Sequence, residues 1–150
     1  MILLSAATAT MAYNSILAKL VKTDYEGKAD SLTKVFIKEF MNTSKGTFWV
    51  TPRGVNSSNT YIYWQQAHAI DVVIYAYQRN LAAGNKTQAN LYKNYVSKWF
   101  QNKGNNYSGG STGFENPYTD DMCWIALTLQ RMGEVFNNNT YFSTAKKLSP

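Results

Sequence analysis

Apolar residues recur along this chain at helical spacing, and the stretches differ in how far round the helix they reach. From Ala29 to Met41 the apolar positions Leu32, Val35, Phe36 and Phe40 share one face, with Lys34, Lys38 and Glu39 opposite, which predicts an amphipathic helix. Tyr61 to Leu81 reads as a second helix, nearly all apolar and ended by Gly84. Ala89 to Phe100 is a shorter amphipathic helix. A fourth runs from Pro117 to Phe136 and is apolar almost all the way round. The run Asn137-Asn138-Asn139 caps and breaks it, and Tyr141 to Leu148 begins another. Thr43 to Thr60 reads as a long loop holding Phe48, Trp49, Pro52 and Gly54, and Lys103 to Gly113 as a flexible one. No stretch shows strand alternation.

A striped helix keeps one face in water, whereas one that is apolar all round is covered on both sides. The alternation of the two kinds predicts an all-α fold in two concentric layers, with Tyr61–Leu81 and Pro117–Phe136 wrapped by Ala29–Met41 and Ala89–Phe100.

The 150 residues suffice for one domain, and a 45% hydrophobic content with 11 Tyr, 7 Phe and 4 Trp is ample for a core. Tyr and Trp in such number suit half-wet surfaces, because each buries a flat apolar face and keeps a polar edge. The net charge of +6 invites a nucleic-acid reading. Against it, the lysines are scattered at spacings that fit solvated helix faces, with only Lys146-Lys147 adjacent. No segment approaches the roughly 18 apolar residues of a membrane span. Met1 to Thr10 resembles the tail of an export signal but lacks a basic leading region, so residues 1–28 are expected to be a clipped signal or a leading helix.

Two adjacent carboxylates, Asp120 and Asp121, open the fourth helix. A carboxylate in low dielectric must pair, protonate or face a polar cleft. Paired carboxylates also serve glycosidic cleavage, one as nucleophile or base and the other as proton donor. Adjacent helix positions stand about 100° apart, which holds the two groups within roughly 5–6 Å and suits a retaining enzyme better than an inverting one. The competing reading is an ordinary helix start, with Asn116 as N-cap, Pro117 at the first helical position and acids in the first turn. Tyr61, Trp64, Gln65, His68, Asp71 and Tyr75 form a polar stripe along one face of the second helix. The stripe fits a pocket wall offering stacking planes and hydroxyl partners, or else His68 and Asp71 satisfying each other in a core. Cys123 stands alone in an apolar run and is expected to be a small buried hydrophobe. One His and one Cys cannot make a structural zinc site, and the acids are too dispersed for a calcium loop, so no metal or cofactor is expected.

The ordered segments Gly46-Thr47-Phe48-Trp49, Tyr63-Trp64-Gln65-Gln66-Ala67-His68-Ala69-Ile70-Asp71, Tyr118-Thr119-Asp120-Asp121-Met122-Cys123-Trp124-Ile125-Ala126-Leu127 and Tyr141-Phe142-Ser143-Thr144-Ala145-Lys146-Lys147 resemble glycoside hydrolase family 76, the endo-α-1,6-mannanases. The resemblance implies an (α/α)6 barrel, of which this chain supplies roughly the first half of the helices. It implies retaining cleavage of α-1,6-mannan, with Asp120 as nucleophile and Asp121 as general acid/base. Trp49, Tyr118 and Trp124 in the matched segments join Tyr61, Trp64, His68 and Asp71 as expected substrate-binding residues. The implied partners are mannan or manno-oligosaccharide together with the rest of the barrel or a second copy, and export to a bacterial periplasm or surface follows from the polymer's size. Two other functions are compatible with the residues: a transglycosidase of the same family, and a non-catalytic helical carbohydrate-binding scaffold.

Overall fold

The structure is a computed structural model and describes residues 24–55, 63–103 and 112–148. It is mostly helical. The chain divides between Leu32 and Thr33 into two compact units. Of the first, residues 24–32 are described; they are helical, with an exposed ion pair from Lys28 Nζ to Asp24 Oδ2 at 2.6 Å.

The helix over 24–40 is α1, and its residues from Thr33 onward belong to the second unit. After it come strands β1 (Met41–Asn42) and β2 (Thr47–Phe48), a single 3-10 turn at Pro52–Gly54, and helices α2 (Tyr63–Ala82), α3 (Lys86–Gln101), α4 (Thr119–Phe136) and α5 (Asn139–Leu148). The helices stand close to their expected places. The expected absence of strands is corrected: β1 and β2 pair antiparallel, Met41 opposite Phe48 and Asn42 opposite Thr47. Strands of two residues are too short to show alternation. Met41, expected to end the first helix, belongs to β1 instead.

Gly46 explains why the hairpin takes this shape. Its φ of +76° is the left-handed region that glycine enters without steric cost. A Cβ there would meet the Trp99 backbone nitrogen at 2.5 Å, so the turn can lie directly on α3 only without a side chain. Lys98 Nζ donates to Thr43 O at 2.9 Å and Asn102 Nδ2 to Lys45 O at 2.8 Å, fastening it there. The inner edge of β2 is satisfied by a side chain: Gln66 Oε1 accepts from Phe48 N–H and Gln66 Nε2 donates to Phe48 O.

The α2–α3 turn follows the expected chemistry, with Gly84 at φ +77° and Asn85 capping α3 by accepting from Gln88 N–H. Likewise α4 ends on Asn137 in the left-handed conformation, and Asn138 Oδ1 accepts from Thr140 N–H at the start of α5. Gly133 lets α5 approach closely, since a Cβ there would meet the Phe142 ring at 2.7 Å.

Along α2 and α4 the partners rise together: the Tyr63 hydroxyl donates to Phe114 O just before α4, His68 meets Trp124, Asp71 meets Arg131 and Tyr77 meets Phe136. The two helices therefore run parallel, with both N-termini at one rim. α3 packs on α2 and α5 on α4. Where these meet, Trp99 and Phe114 are fully buried with ring centroids 5.5 Å apart, joined by Phe100.

Coverage of the two apolar helices on both sides is not what the structure shows among the described residues. Trp64, Val72 and Tyr75 on α2 and Trp124 and Leu127 on α4 are exposed. Cys123 is exposed as well, correcting its expected burial; it lines a groove between α4 and α5 with Leu127, Phe142 and Lys146. Among the described residues no element closes over these positions, α5 bordering only the groove that holds Cys123 and Leu127.

Candidate functional site

The rim where α2 and α4 begin carries the paired acids. The helix start differs from expectation, since α4 begins at Thr119 with Tyr118 in the N-cap position and no side-chain cap bond. Asn116 does not cap it. Its Oδ1 accepts from Tyr118 N–H at 2.7 Å and its Nδ2 donates to Asp121 Oδ2 at 3.0 Å. Pro117 accordingly precedes the helix. Asp121 is half-buried and oriented by that amide, whereas Asp120 is exposed and makes no side-chain hydrogen bond among the described residues.

One helical turn along from the acids, about 5–6 Å by the rise of an α-helix, stands Trp124. Its indole lies 4.7 Å from the His68 ring, and His68 in turn meets Trp64 edge-on at 5.6 Å. All three rings are exposed, Trp64 at 42% and Trp124 at 45%. Tyr118, at 62%, flanks the acids. A further turn along, Asp71 Oδ2 is paired with Arg131 Nη1, and the guanidinium lies 5.5 Å from the Tyr75 ring. The stripe on α2 thus faces its counterpart on α4, in which Asp120, Trp124, Leu127 and Arg131 recur at i, i+4, i+7 and i+11.

Of the expected residues, then, Trp64, His68, Trp124, Tyr118, Asp120 and Asp121 gather at one end of the α2/α4 pair, and Asp71 lies further along it. Trp49 is half-buried beside β2 and shares a separate pocket with His68. Tyr61 lies outside the described residues. The suggestion that His68 and Asp71 satisfy each other is corrected: Asp71 takes Arg131, and His68 takes the two indoles.

Three contributors were not anticipated. Arg131 is one; an acid embedded in an otherwise apolar helix demands a cation, and of Arg53, Arg79 and Arg131 only the last has the register to supply it. Asn116 is another: its place before Pro117 predicts a cap, whereas its amide holds Asp121. Glu115 is the third: it accepts from Thr112 Oγ1 at 2.5 Å, Thr112 N–H at 2.9 Å and Phe114 N–H at 3.1 Å. Burial raises its pKa, but those hydrogen bonds more than offset it and hold the carboxyl at about 2. Glu115 thereby closes the loop that delivers Asn116 to Asp121.

Among the described residues, no group of three or more His, Cys, Asp or Glu could hold a metal ion, and no helix is long and apolar enough to cross a membrane. Comparison with protein-family models, with the curated proteins and with the solved structures found no match to this chain.

Proposed function

We propose that the α2/α4 rim is the catalytic end of a retaining glycoside hydrolase acting on α-1,6-linked mannan, secreted to reach its polymer and completed by further helices or a second copy. The observation that carries this reading is the parallel packing of α2 and α4, which gathers two acids of unlike surroundings with three exposed rings. Sugars stack their apolar faces on such rings and present hydroxyls at the edges. Exposed apolar positions on both helices fit an (α/α)6 barrel in which neighbouring helices cover them.

In this reading the open Asp120 carboxylate attacks the anomeric carbon as the glycosidic bond breaks, and Asp121 gives its proton to the departing oxygen. Water then attacks the same carbon, returning a proton to Asp121 and releasing Asp120. Asn116 holds Asp121 Oδ2, leaving Oδ1 to face the leaving group.

Trapping with a slow fluorinated mannosyl donor, on the natural polypeptide carrying this sequence, tests the assignment. A label on Asp120 is expected, absent in Asp120→Asn and retained in Asp121→Asn when the leaving group needs no protonation. A label on Asp121 reverses the roles. Full activity in both variants reduces the pair to a helix start. The exposure of Trp64, Tyr118 and Trp124 also suits a carbohydrate-binding scaffold without catalysis. That reading wins if Trp64→Ala and Trp124→Ala abolish manno-oligosaccharide binding while no intermediate can be trapped.

A further inference from the structure

A second pocket lies on the β2 side of α2, with a volume of about 320 Å3. Phe36, Phe40, Phe48, Trp49, Ala69 and Val72 line it, so its walls are almost wholly apolar. Phe36 stacks on Phe48 at 5.3 Å and on Phe40 at 5.7 Å, and Trp49 N–H donates to Phe40 O at 2.8 Å, so the rings form a braced wall rather than loose side chains. Gly54 supports the indole from behind, close enough that a Cβ there would stand 3.2 Å from it.

Two glutamine amides border this space, and they differ. Gln66 is spent on the Phe48 backbone at both ends. Gln65 lines the pocket with its Oε1 buried and accepting no hydrogen bond among the described residues. A buried acceptor without a donor is destabilising, and a ligand that supplies the donor relieves that cost. A cavity of roughly 150 Å3 accommodates benzene, so this one has room for a second ring.

We propose that this pocket binds a small, flat, two-ring apolar molecule carrying a single hydroxyl or N–H donor. Its rings lie among Phe36, Phe48 and Trp49, and its donor meets Gln65 Oε1. The site is separate from the acids and does not depend on the mannanase reading. His68 borders both regions, which places the pocket beside the rim without making it part of it.

Titration of the full chain with 2-naphthol, followed through the indole N–H resonances, tests the proposal, with Trp49→Phe assigning the Trp49 signal. A saturable shift at Trp49 is expected, with an affinity five- to tenfold above that for naphthalene, which lacks the donor. Gln65→Leu should make the two probes equal while leaving naphthalene binding intact, and Ala69→Leu should fill the space and weaken both. Should Ala69→Leu fail to fold, Gln65→Leu decides alone. The proposal is overturned by the absence of a saturable Trp49 shift, by shifts confined to Trp64 and Trp124, or by a 2-naphthol preference that survives Gln65→Leu.

Discussion

The two sides of α2 are built to different rules. On the core side Ile70, Val73, Ile74 and Ala76 are completely buried in one cluster with Trp99 of α3 and Phe114 before α4, and the hairpin beside it rests on α3 where Gly46 leaves no room for a side chain. Toward the α2/α4 groove, the same helix spends Trp64, His68 and Tyr75 on partial exposure and pairs Asp71 with an arginine from another helix. Folding alone favours the first pattern, because apolar area removed from water stabilises at roughly 25 cal/mol per Å2, and rings left half in water forgo much of that. On the open side the rings meet one another and the ion pair, with Trp64 and Trp124 against His68 and Tyr75 against Arg131. The contrast is therefore between a side the fold buries and a side it leaves open, and the proposed site lies on the open one.

The sharpest break of that contrast comes from paired substitutions. Gly46→Ala forces a side chain into the α3 backbone at a left-handed φ and is expected to cost about 3 kcal/mol or more. Phe114→Ala, which empties the fully buried hub, should cost about 3–5 kcal/mol. Trp124→Ala, on the open side, should cost about 1 kcal/mol or less, and under the proposed function it should also remove manno-oligosaccharide binding. Urea unfolding monitored by circular dichroism reads all three. A Trp124→Ala cost equal to that of Phe114→Ala would mean the open face is core after all, and the division would fail.

The Asp71–Arg131 pair sharpens the comparison at an intermediate scale. Asp71 Oδ1 is buried without a partner while Oδ2 holds the arginine, so the acid depends on one cation. Arg131→Met leaves that charge half-buried and unpaired and is expected to cost about 2 kcal/mol, whereas Asp71→Asn with Arg131→Met should recover about half of it. The double-mutant cycle gives the coupling directly. A coupling near zero would show that the bridge is solvated like an ordinary surface pair.

Much of this architecture can be read from the residues, and the limits of that reading have causes. Helix positions follow periodicity, and Gly84 and Asn137 mark their ends because each adopts a backbone conformation that few other residues tolerate. The hairpin was invisible because two residues per strand carry no pattern; its signal was Gly46 alone. Asn116 misled because an amide before a proline looks like a cap, and whether it bonds a backbone N–H or a nearby carboxylate is decided by the path of the loop. Phe114 lies in a glycine-rich connection, where an aromatic gives no periodic sign of burial. Apolar content along α4 indicated burial all round, yet content cannot show which neighbours are there to provide it.

A comparably small effect concerns the joint between the two regions. Glu115 follows the buried Phe114 and precedes Asn116, so its carboxylate ties the core to the segment that orients Asp121. Its folded pKa of about 2 lies below the ordinary value of 4.5, so the ionised form is the one folding prefers. The stability it contributes is therefore complete above about pH 5 and is lost as pH falls from 4.5 through about 2, because the unfolded chain takes up the proton first. Glu115→Gln should remove this dependence and cost about 1 kcal/mol at neutral pH, with little effect at pH 2. Unfolding curves for both proteins at intervals between pH 2 and pH 7 measure it: the gap between them should narrow steadily on acidification. If the loop also holds Asp121 in place, the variant should show a changed Asn116 side-chain amide resonance at neutral pH while the Trp99 indole signal stays put. A gap that stays constant with pH would mean that Thr112 and Phe114 bind the neutral amide as well as the anion, and that Glu115 joins the regions by shape instead of charge.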